Sequence, residues 1–201
     1  MRKTIFILMI TLLPSLLFSQ GIHKTNIILG GGANFPIGGE DAYRNISFAE
    51  YYKGSYNLDI QIEYTAAKET VFGFEINHGK FAGTKSVYTY YPTEPGRLNI
   101  TSFMGFLKVQ DNSAKKDDIQ FFVKGAVGLS FIADDNFQFS LVDSKGYGTG
   151  GISYQGGAGV NFMLNSGNKI MFESFYRTNS GKDASYNSIT FNTGFSFCLN
   201  P

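Results

Sequence analysis

The chain has 201 residues, which suggests one domain or at most two small ones. Charged residues and aromatic residues each make up 16% of the sequence, and 24 residues are glycine, a composition that argues against a disordered chain and favours a β-protein. The formal net charge of +1 gives no reason to expect nucleic acid as a partner. One cysteine, Cys198, excludes an internal disulfide, and one Cys with two His leaves no ligand set for zinc.

Residues 1–19 are predicted to be a cleaved signal peptide. Arg2 and Lys3 precede an apolar run over residues 5–18, and Ser19 and Gln20 follow as a plausible cleavage point. The run has the length of a signal core and is shorter than the roughly 20 residues that a spanning helix needs. We therefore expect a short segment over residues 20–24, one barrel domain over residues 25–199 and a tail of residues 200–201.

Eight segments alternate apolar and polar side chains with the period of two that β-strands produce. In chain order they are residues 25–36, 56–65, 70–80, 98–110, 119–132, 152–164, 169–177 and 187–199. The second segment is the most regular, with Leu58, Ile60 and Ile62 between polar neighbours. The fourth is the least regular, because Phe103 and Leu107 fall on the face opposite Met104 and Phe106.

The connections between these segments differ in length. Residues 37–55, 81–97, 133–151 and 178–186 form longer loops, whereas residues 66–69, 111–118 and 165–168 form short turns. This asymmetry is expected of an antiparallel barrel with one end in each compartment, with brief periplasmic turns and longer extracellular loops. An even number of strands also returns both termini to the periplasmic side.

The closing segment carries the most specific sequence signal. Asn192, Gly194, Phe197 and Leu199 fit the polar-x-Gly-x-x-apolar-x-apolar pattern by which assembly machinery recognises the last strand of an outer-membrane barrel. With the other segments, it resembles the small outer-membrane β-barrel family that includes the OmpA transmembrane domain and OmpX. The resemblance implies an all-β fold, an eight-stranded antiparallel up-and-down transmembrane barrel, in the outer membrane of a Gram-negative bacterium. Members of this family have varied roles, so the fold does not fix the function.

Volume and charge predict which face of the barrel points outward. An eight-stranded barrel is just wide enough inside for side chains, and ten aromatic residues on the apolar faces would overfill it: Phe72, Phe74, Phe121, Phe131, Phe162, Phe172, Tyr176, Phe191, Phe195 and Phe197. We expect these rings to face lipid. Tyrosines near the strand ends are predicted to form interfacial girdles: Tyr56, Tyr64, Tyr154, Tyr176 and Tyr186. Lys80 and Lys108 are predicted on the lipid face at strand ends, where a base costs less than the ~2–4 kcal/mol of the midplane.

The side chains of the opposite face predict an interior filled by charged groups. This face carries four acids and two bases in the predicted interior: Asp59, Glu63, Glu75, Glu173, Lys124 and Arg177. Unpaired buried charges cost too much, so these residues are expected to form one hydrogen-bonded ion network. No cofactor or metal is expected.

Three further motifs have a functional and a structural interpretation. His78 would be catalytic only with an oriented partner, and no Ser lies near it in the sequence, so we predict a rim histidine at headgroup level. Gly30, Gly31 and Gly32 lack phosphate-loop spacing, which favours close packing inside a narrow barrel. Asp134, Asp135 and Asp143 could bind a divalent cation or bridge lipopolysaccharide, but they lack EF-hand order and indicate a solvated loop.

The leading hypothesis is a non-enzymatic integral outer-membrane barrel whose loops contact the surroundings or a partner. Its expected partners are outer-membrane lipid, lipopolysaccharide and the barrel-assembly machinery. The alternative is a barrel subunit of an envelope or protein-secretion complex. A lipid-modifying enzyme and a soluble ligand-binding barrel are two further hypotheses.

Overall fold

A computed structural model describes residues 24–41, 46–84, 97–111, 119–134, 148–164, 167–181 and 184–199. The predicted signal peptide, the tail of residues 200–201, the side chain of Asp134, and Asp135 and Asp143 lie outside the described residues.

Eight long antiparallel strands form the fold. They are β1 (Lys24–Gly38), β2 (Ser55–Ala67), β3 (Thr70–Gly83), β4 (Arg97–Gln110), β5 (Ile119–Asp134), β6 (Gly148–Met163), β7 (Lys169–Ser180) and β8 (Ser185–Cys198). Each strand pairs with the next along the chain, and β1 also pairs with β8, so the sheet closes on itself. The predicted eight-stranded antiparallel barrel is therefore confirmed.

The glycine run in β1 lies where the barrel closes. Gly30 pairs with Gly194 and Gly32 pairs with Asn192 on β8. A Cβ at Gly32 would lie 1.8 Å from the Phe191 carbonyl oxygen, so a side chain there would force β1 and β8 apart. Close strand packing is the physical reason for glycine at this position.

The two ends of the barrel differ. At the turn end, where both described chain ends lie, the amide of Leu199 donates a hydrogen bond to the carbonyl of Thr25 at 2.9 Å. At the other end, which we call the loop end, the connection from β1 to β2 contains the strand pair Glu40–Asp41 and Ile46–Ser47 and a short helix α1 (Phe48–Tyr51). It ends in a short strand, Tyr52–Lys53, that pairs with β3. A membrane-spanning helix is absent from the described part of the chain.

The prediction of a nine-residue loop over residues 178–186 is wrong. Strands β7 and β8 continue to Ser180 and Ser185, which leaves four residues between them. The amide of Gly181 donates to the carbonyl of Ala184 at 2.8 Å and closes this connection. The polar residues at these strand ends do not alternate in hydropathy, so the period-two pattern stopped before the hydrogen-bonded ladder did.

Apolar side chains cover the outside of the barrel. Phe74 is 74% exposed, Leu129 and Phe121 are each 61% exposed, and the other predicted outward aromatics point to the same face. The inward positions of the same strands are mostly polar or glycine, as at Gln61, Ser153 and their neighbours. The inside-out arrangement predicted from side-chain volume agrees with this distribution.

Two residues were assigned to the wrong face. Lys108 was expected on the lipid face but is fully buried inside, and Tyr186 was expected in an interfacial girdle but is buried at the loop end. Strand β4 is apolar on both faces, because Met104 and Phe106 point inward while Phe103 and Leu107 point outward. Periodicity therefore could not fix its register, and Lys108 follows the inward set.

Glycines make room for the inward aromatic rings. A Cβ at Gly73 would lie 2.3 Å from the Phe106 ring, and one at Gly159 would lie 2.4 Å from the Phe122 ring. A glycine therefore lies next to each of these two rings in the narrow interior. This accounts for Phe122, the residue in β5 that breaks the alternation.

Candidate functional site

The centre of the barrel interior holds four linked charged side chains. The Lys124 ammonium on β5 lies 3.0 Å from a Glu75 oxygen on β3 and 2.7 Å from a Glu173 oxygen on β7. The Arg177 guanidinium on β7 lies 3.0 Å from the other Glu75 oxygen. These residues reach one another because inward positions of β3, β5 and β7 face a common lumen. Four of the six predicted interior charges thus meet directly.

Neutral amides complete the hydrogen bonding of this group. Gln155 accepts a hydrogen bond from Arg177 Nε at 3.0 Å and donates to Glu75 at 3.2 Å. Arg177 also donates to the side-chain oxygen of Asn77. Gln61 donates to Glu173 at 3.0 Å, so both carboxylates carry a cation and an amide donor. Buried ion pairs need such additional hydrogen bonds to offset the loss of solvation.

Asp59 lies beside this group without a cationic partner of its own. Its side chain is buried, and Gln61 Nε2 donates a hydrogen bond to Asp59 Oδ2 at 2.5 Å. The other carboxylate oxygen, Oδ1, has no hydrogen-bond partner among the described residues. Asp59 therefore contacts the network through Gln61 and not through an ion pair.

Glu63 belongs to a second cluster, nearer the turn end. It forms ion pairs with Lys108 on β4 and with Lys169 at the start of β7, where the Lys169 Nζ lies 2.6 Å from Glu63 Oε2. Sequence reasoning missed both lysines as interior residues. Lys169 lies four residues before Glu173 and eight before Arg177, so all three side chains point to the same face of β7. That signal was sufficient to place Lys169 inside.

The interior charges balance within the described residues. Four buried acids face four buried bases: Asp59, Glu63, Glu75, Glu173, Lys108, Lys124, Lys169 and Arg177. Inward rings add cation–π contacts, with Lys108 Nζ 4.9 Å from the centroid of Phe122 and Arg177 Cζ 4.8 Å from that of Phe175. The aromatic faces thus stabilise cations that have left water.

An apolar cluster covers the loop end of the lumen. Phe48 of α1 is 1% exposed, and its ring centroid lies 4.9 Å from that of Phe81 and 5.2 Å from that of Tyr186. The cluster, called the aromatic cap below, consists of Phe48, Tyr52, Phe81, Leu98, Ile100, Ile132 and Tyr186. The apolar cap and the polar network occupy different levels of the same interior.

The remaining predicted residues lie outside the network. His78 is on the outward face and, contrary to the expectation from sequence, has a hydroxyl partner, since His78 Nδ1 lies 2.9 Å from Thr101 Oγ1. The residues of the closing motif divide between the two faces. Asn192 is buried and Gly194 points inward, whereas Phe197 and Leu199 are exposed on the outside.

The geometry defines a closed eight-stranded barrel with a charged interior and an apolar exterior, the fold of small outer-membrane barrels. No protein-family model matches this chain, and no curated protein matches it. Solved structures of small outer-membrane barrels share the fold, among them the following two. One is Ail, the attachment invasion locus protein of Yersinia pestis, in complex with the heparin analogue sucrose octasulfate, with a TM-score of 0.53 and 10% identity over 87% of this chain and 99% of that chain. The other is Neisserial surface protein A, with a TM-score of 0.54 and 10% identity over 86% of this chain and 95% of that chain.

Proposed function

We propose that the chain is a non-enzymatic integral outer-membrane barrel, a scaffold with a filled polar interior whose loops contact the surroundings or a partner. One observation carries the proposal: large apolar side chains are exposed on the outside while eight charged side chains are buried inside. Apolar patches on monomeric soluble proteins rarely exceed a few hundred Å². A barrel that is apolar around its whole exterior is stable only in apolar surroundings.

The dimensions of the strands fit this environment. The eight barrel strands contain 12 to 16 residues, whereas a transmembrane strand needs about 9–11 residues to cross the hydrocarbon core. The excess length supports a position of both strand ends in the headgroup regions. Tyr56, Tyr154 and Tyr176 are about half exposed on the outward face, where interfacial girdles are found.

The interior supports a closed barrel rather than a pore. The two ion clusters bridge strands on different sides of the lumen, and the aromatic cap lies above them at the loop end. We therefore propose that no wide aqueous path crosses the barrel. Planar-bilayer recordings of the purified protein are expected to show no large, stable openings.

The proposed life cycle begins with secretion through the signal peptide over residues 1–19. The barrel domain over residues 25–199 then inserts through the assembly machinery, guided by the closing motif with Asn192, Gly194, Phe197 and Leu199. The turn end faces the periplasm and the loop end faces the outside. Ail, which shares the fold, was solved in complex with the heparin analogue sucrose octasulfate. We propose that the loops of this chain likewise contact surface molecules.

Fractionation and gel mobility test the proposal. The protein should remain in the outer-membrane fraction after a high-salt wash and should migrate differently on SDS gels before and after boiling. Release with the periplasmic contents without detergent would refute it and favour the soluble ligand-binding barrel. Stoichiometric envelope proteins that co-purify after mild detergent extraction would instead support the subunit of a secretion or envelope complex.

An enzymatic role predicts a different result. If the His78–Thr101 pair acted on lipid A, a His78→Ala variant would lose a lipid A modification that the wild-type protein introduces. We expect the lipid A mass spectrum to be the same for a deletion strain, the wild type and His78→Ala.

A further inference from the structure

We infer that the outward face of the barrel at its loop end carries a binding site for the phosphate groups of a membrane lipid, formed by Lys53, Lys80 and Arg97. This inference rests on the proposed function, because it requires the loop end to lie in the outer leaflet. It adds a ligand class and a location on the barrel wall to that function.

Strand register brings the three cations together. Ala82 on β3 pairs with Lys53 on one side and with Arg97 on the other. Directly opposed residues of antiparallel strands point to the same face, with Cβ atoms about 4.5–5.5 Å apart. Lys80 lies two residues before Ala82 and shares its face. The three cations therefore surround one small methyl side chain, which leaves space between them.

No protein carboxylate neutralises these cations within the described residues. None of the ion pairs formed there includes Lys53, Lys80 or Arg97. Lys53 and Arg97 are exposed, and Lys80 Nζ lies 5.8 Å from the ring centroid of Tyr56. Arg binds phosphate in bidentate geometry and Lys acts as a point charge, so the group is suited to a phosphate ligand.

The site lies at the upper edge of the apolar band. One pleat towards the turn end, His78 pairs with Leu58 and Thr101 pairs with Phe131. Leu58 and Phe131 are each 56% exposed and outward, so hydrocarbon is expected beside them. The cations above are then at the level of lipid headgroups, where clustered bases bind anionic lipids. The phosphate source that fits this position is a membrane lipid.

The cations are concentrated on one side of the barrel. On other strands, the exposed outward residues near the loop end include Phe35, Ile37 and Ile152. A general attraction to an anionic leaflet needs no such concentration. Among the described residues, Lys53, Lys80 and Arg97 occupy adjacent strands, and this arrangement favours one bound lipid at one place.

Native mass spectrometry of the purified, folded barrel in detergent tests the inference. The barrel is titrated with bisphosphorylated lipid A or with the same acylated disaccharide without phosphates. The variant is Lys53→Gln/Lys80→Gln/Arg97→Gln, and the control Lys24→Gln/Lys68→Gln removes exposed cations at the turn end. We expect the triple variant to bind bisphosphorylated lipid A roughly 100-fold more weakly than the wild type, about fivefold per cation. The control should bind as the wild type does.

Two results would overturn the inference: a triple variant that keeps the wild-type preference for the phosphorylated lipid, or a control that loses the preference equally. The site is assessed only on protein that migrates as a folded, membrane-extracted barrel. Recovery of the wild type in the soluble fraction would refute the proposed function separately. Weak binding by the triple variant alone cannot reflect misfolding if its heat-dependent gel mobility matches that of the wild type.

Discussion

Removal of the Lys124 ammonium should leave one buried carboxylate without a cation. In Lys124→Met, Glu75 keeps the Arg177 guanidinium at 3.0 Å, whereas Glu173 keeps only amide donors, from Gln61 at 3.0 Å and Asn192 at 3.4 Å. Breaking a buried ion pair by removal of one partner costs about 3–5 kcal/mol, because the remaining charge is uncompensated. We expect a loss of stability in this range for Lys124→Met.

A second substitution tests whether the uncompensated charge is the cause. Lys124→Met/Glu173→Gln removes that charge, so its stability should return to within about 1.5 kcal/mol of the wild type. The control, Lys68→Met, changes an exposed lysine at the turn end and should alter stability by no more than about 0.5 kcal/mol. The sequence has no Trp, so urea unfolding from lipid vesicles is best followed by far-UV circular dichroism.

The reasoning would be refuted if Lys124→Met unfolded at the same urea concentration as the wild type and Lys68→Met. It would also be refuted if the double variant were less stable than Lys124→Met. In that case the uncompensated charge of Glu173 would not be the cause of the lost stability.

Three other perturbations have clear expectations. Gly159→Ala should destabilise the barrel by about 1–3 kcal/mol in the same urea assay, because the new Cβ would lie 2.3 Å from the Phe172 carbonyl oxygen. Its control is Gly156→Ala on the same strand, which has open space around the new Cβ and should be neutral. Val127→Arg should lower the free energy of unfolding in vesicles by about 2–4 kcal/mol, because residue 127 points outward from the middle of its strand. Val127→Leu should be neutral. Equal stability of the two variants would contradict the lipid-facing assignment. Phe48→Ala should speed amide hydrogen exchange of residues 51–53 and 81–84, two paired segments that contain the cap residues Tyr52 and Phe81, while residues 60–62 stay protected.

The period-two pattern located all eight strands because most of them have one polar face towards the interior and one apolar face towards the outside. It was sufficient wherever a strand is regular, as in β2, where buried Asp59 and Gln61 alternate with exposed Leu58 and Ile60. It did not fix β4, whose Phe106 points into the space left by Gly73. That packing joins residues of neighbouring strands and is invisible to a pattern read along one segment.

The sequence predicted charged side chains in the interior but not which of them form ion pairs with each other. The alternation along the strands placed Glu63 and Glu75 on the same inward face. In the structure, however, Glu63 pairs with Lys108 and Lys169. Glu75 pairs with Lys124 and Arg177. The partner of each charge depends on strand tilt and on which side chains reach across the lumen. Those distances arise only when the sheet closes, so the pattern along the strands identified six of the eight buried charges, missed Lys108 and Lys169, and predicted none of the pairs.

Paramagnetic quenching by a lipid with a spin label in mid-chain tests the central claim most directly. The barrel is placed in nanodiscs with isotope-labelled isoleucine methyl groups, and the broadening of each methyl signal is measured. Ile60 and Ile76 are 47% and 43% exposed on the outward face, so their signals should broaden strongly. Ile28 and Ile100, buried inside at 0% and 2%, should stay sharp. Broadened signals from Ile28 and Ile100, with Ile60 and Ile76 unaffected, would contradict the account.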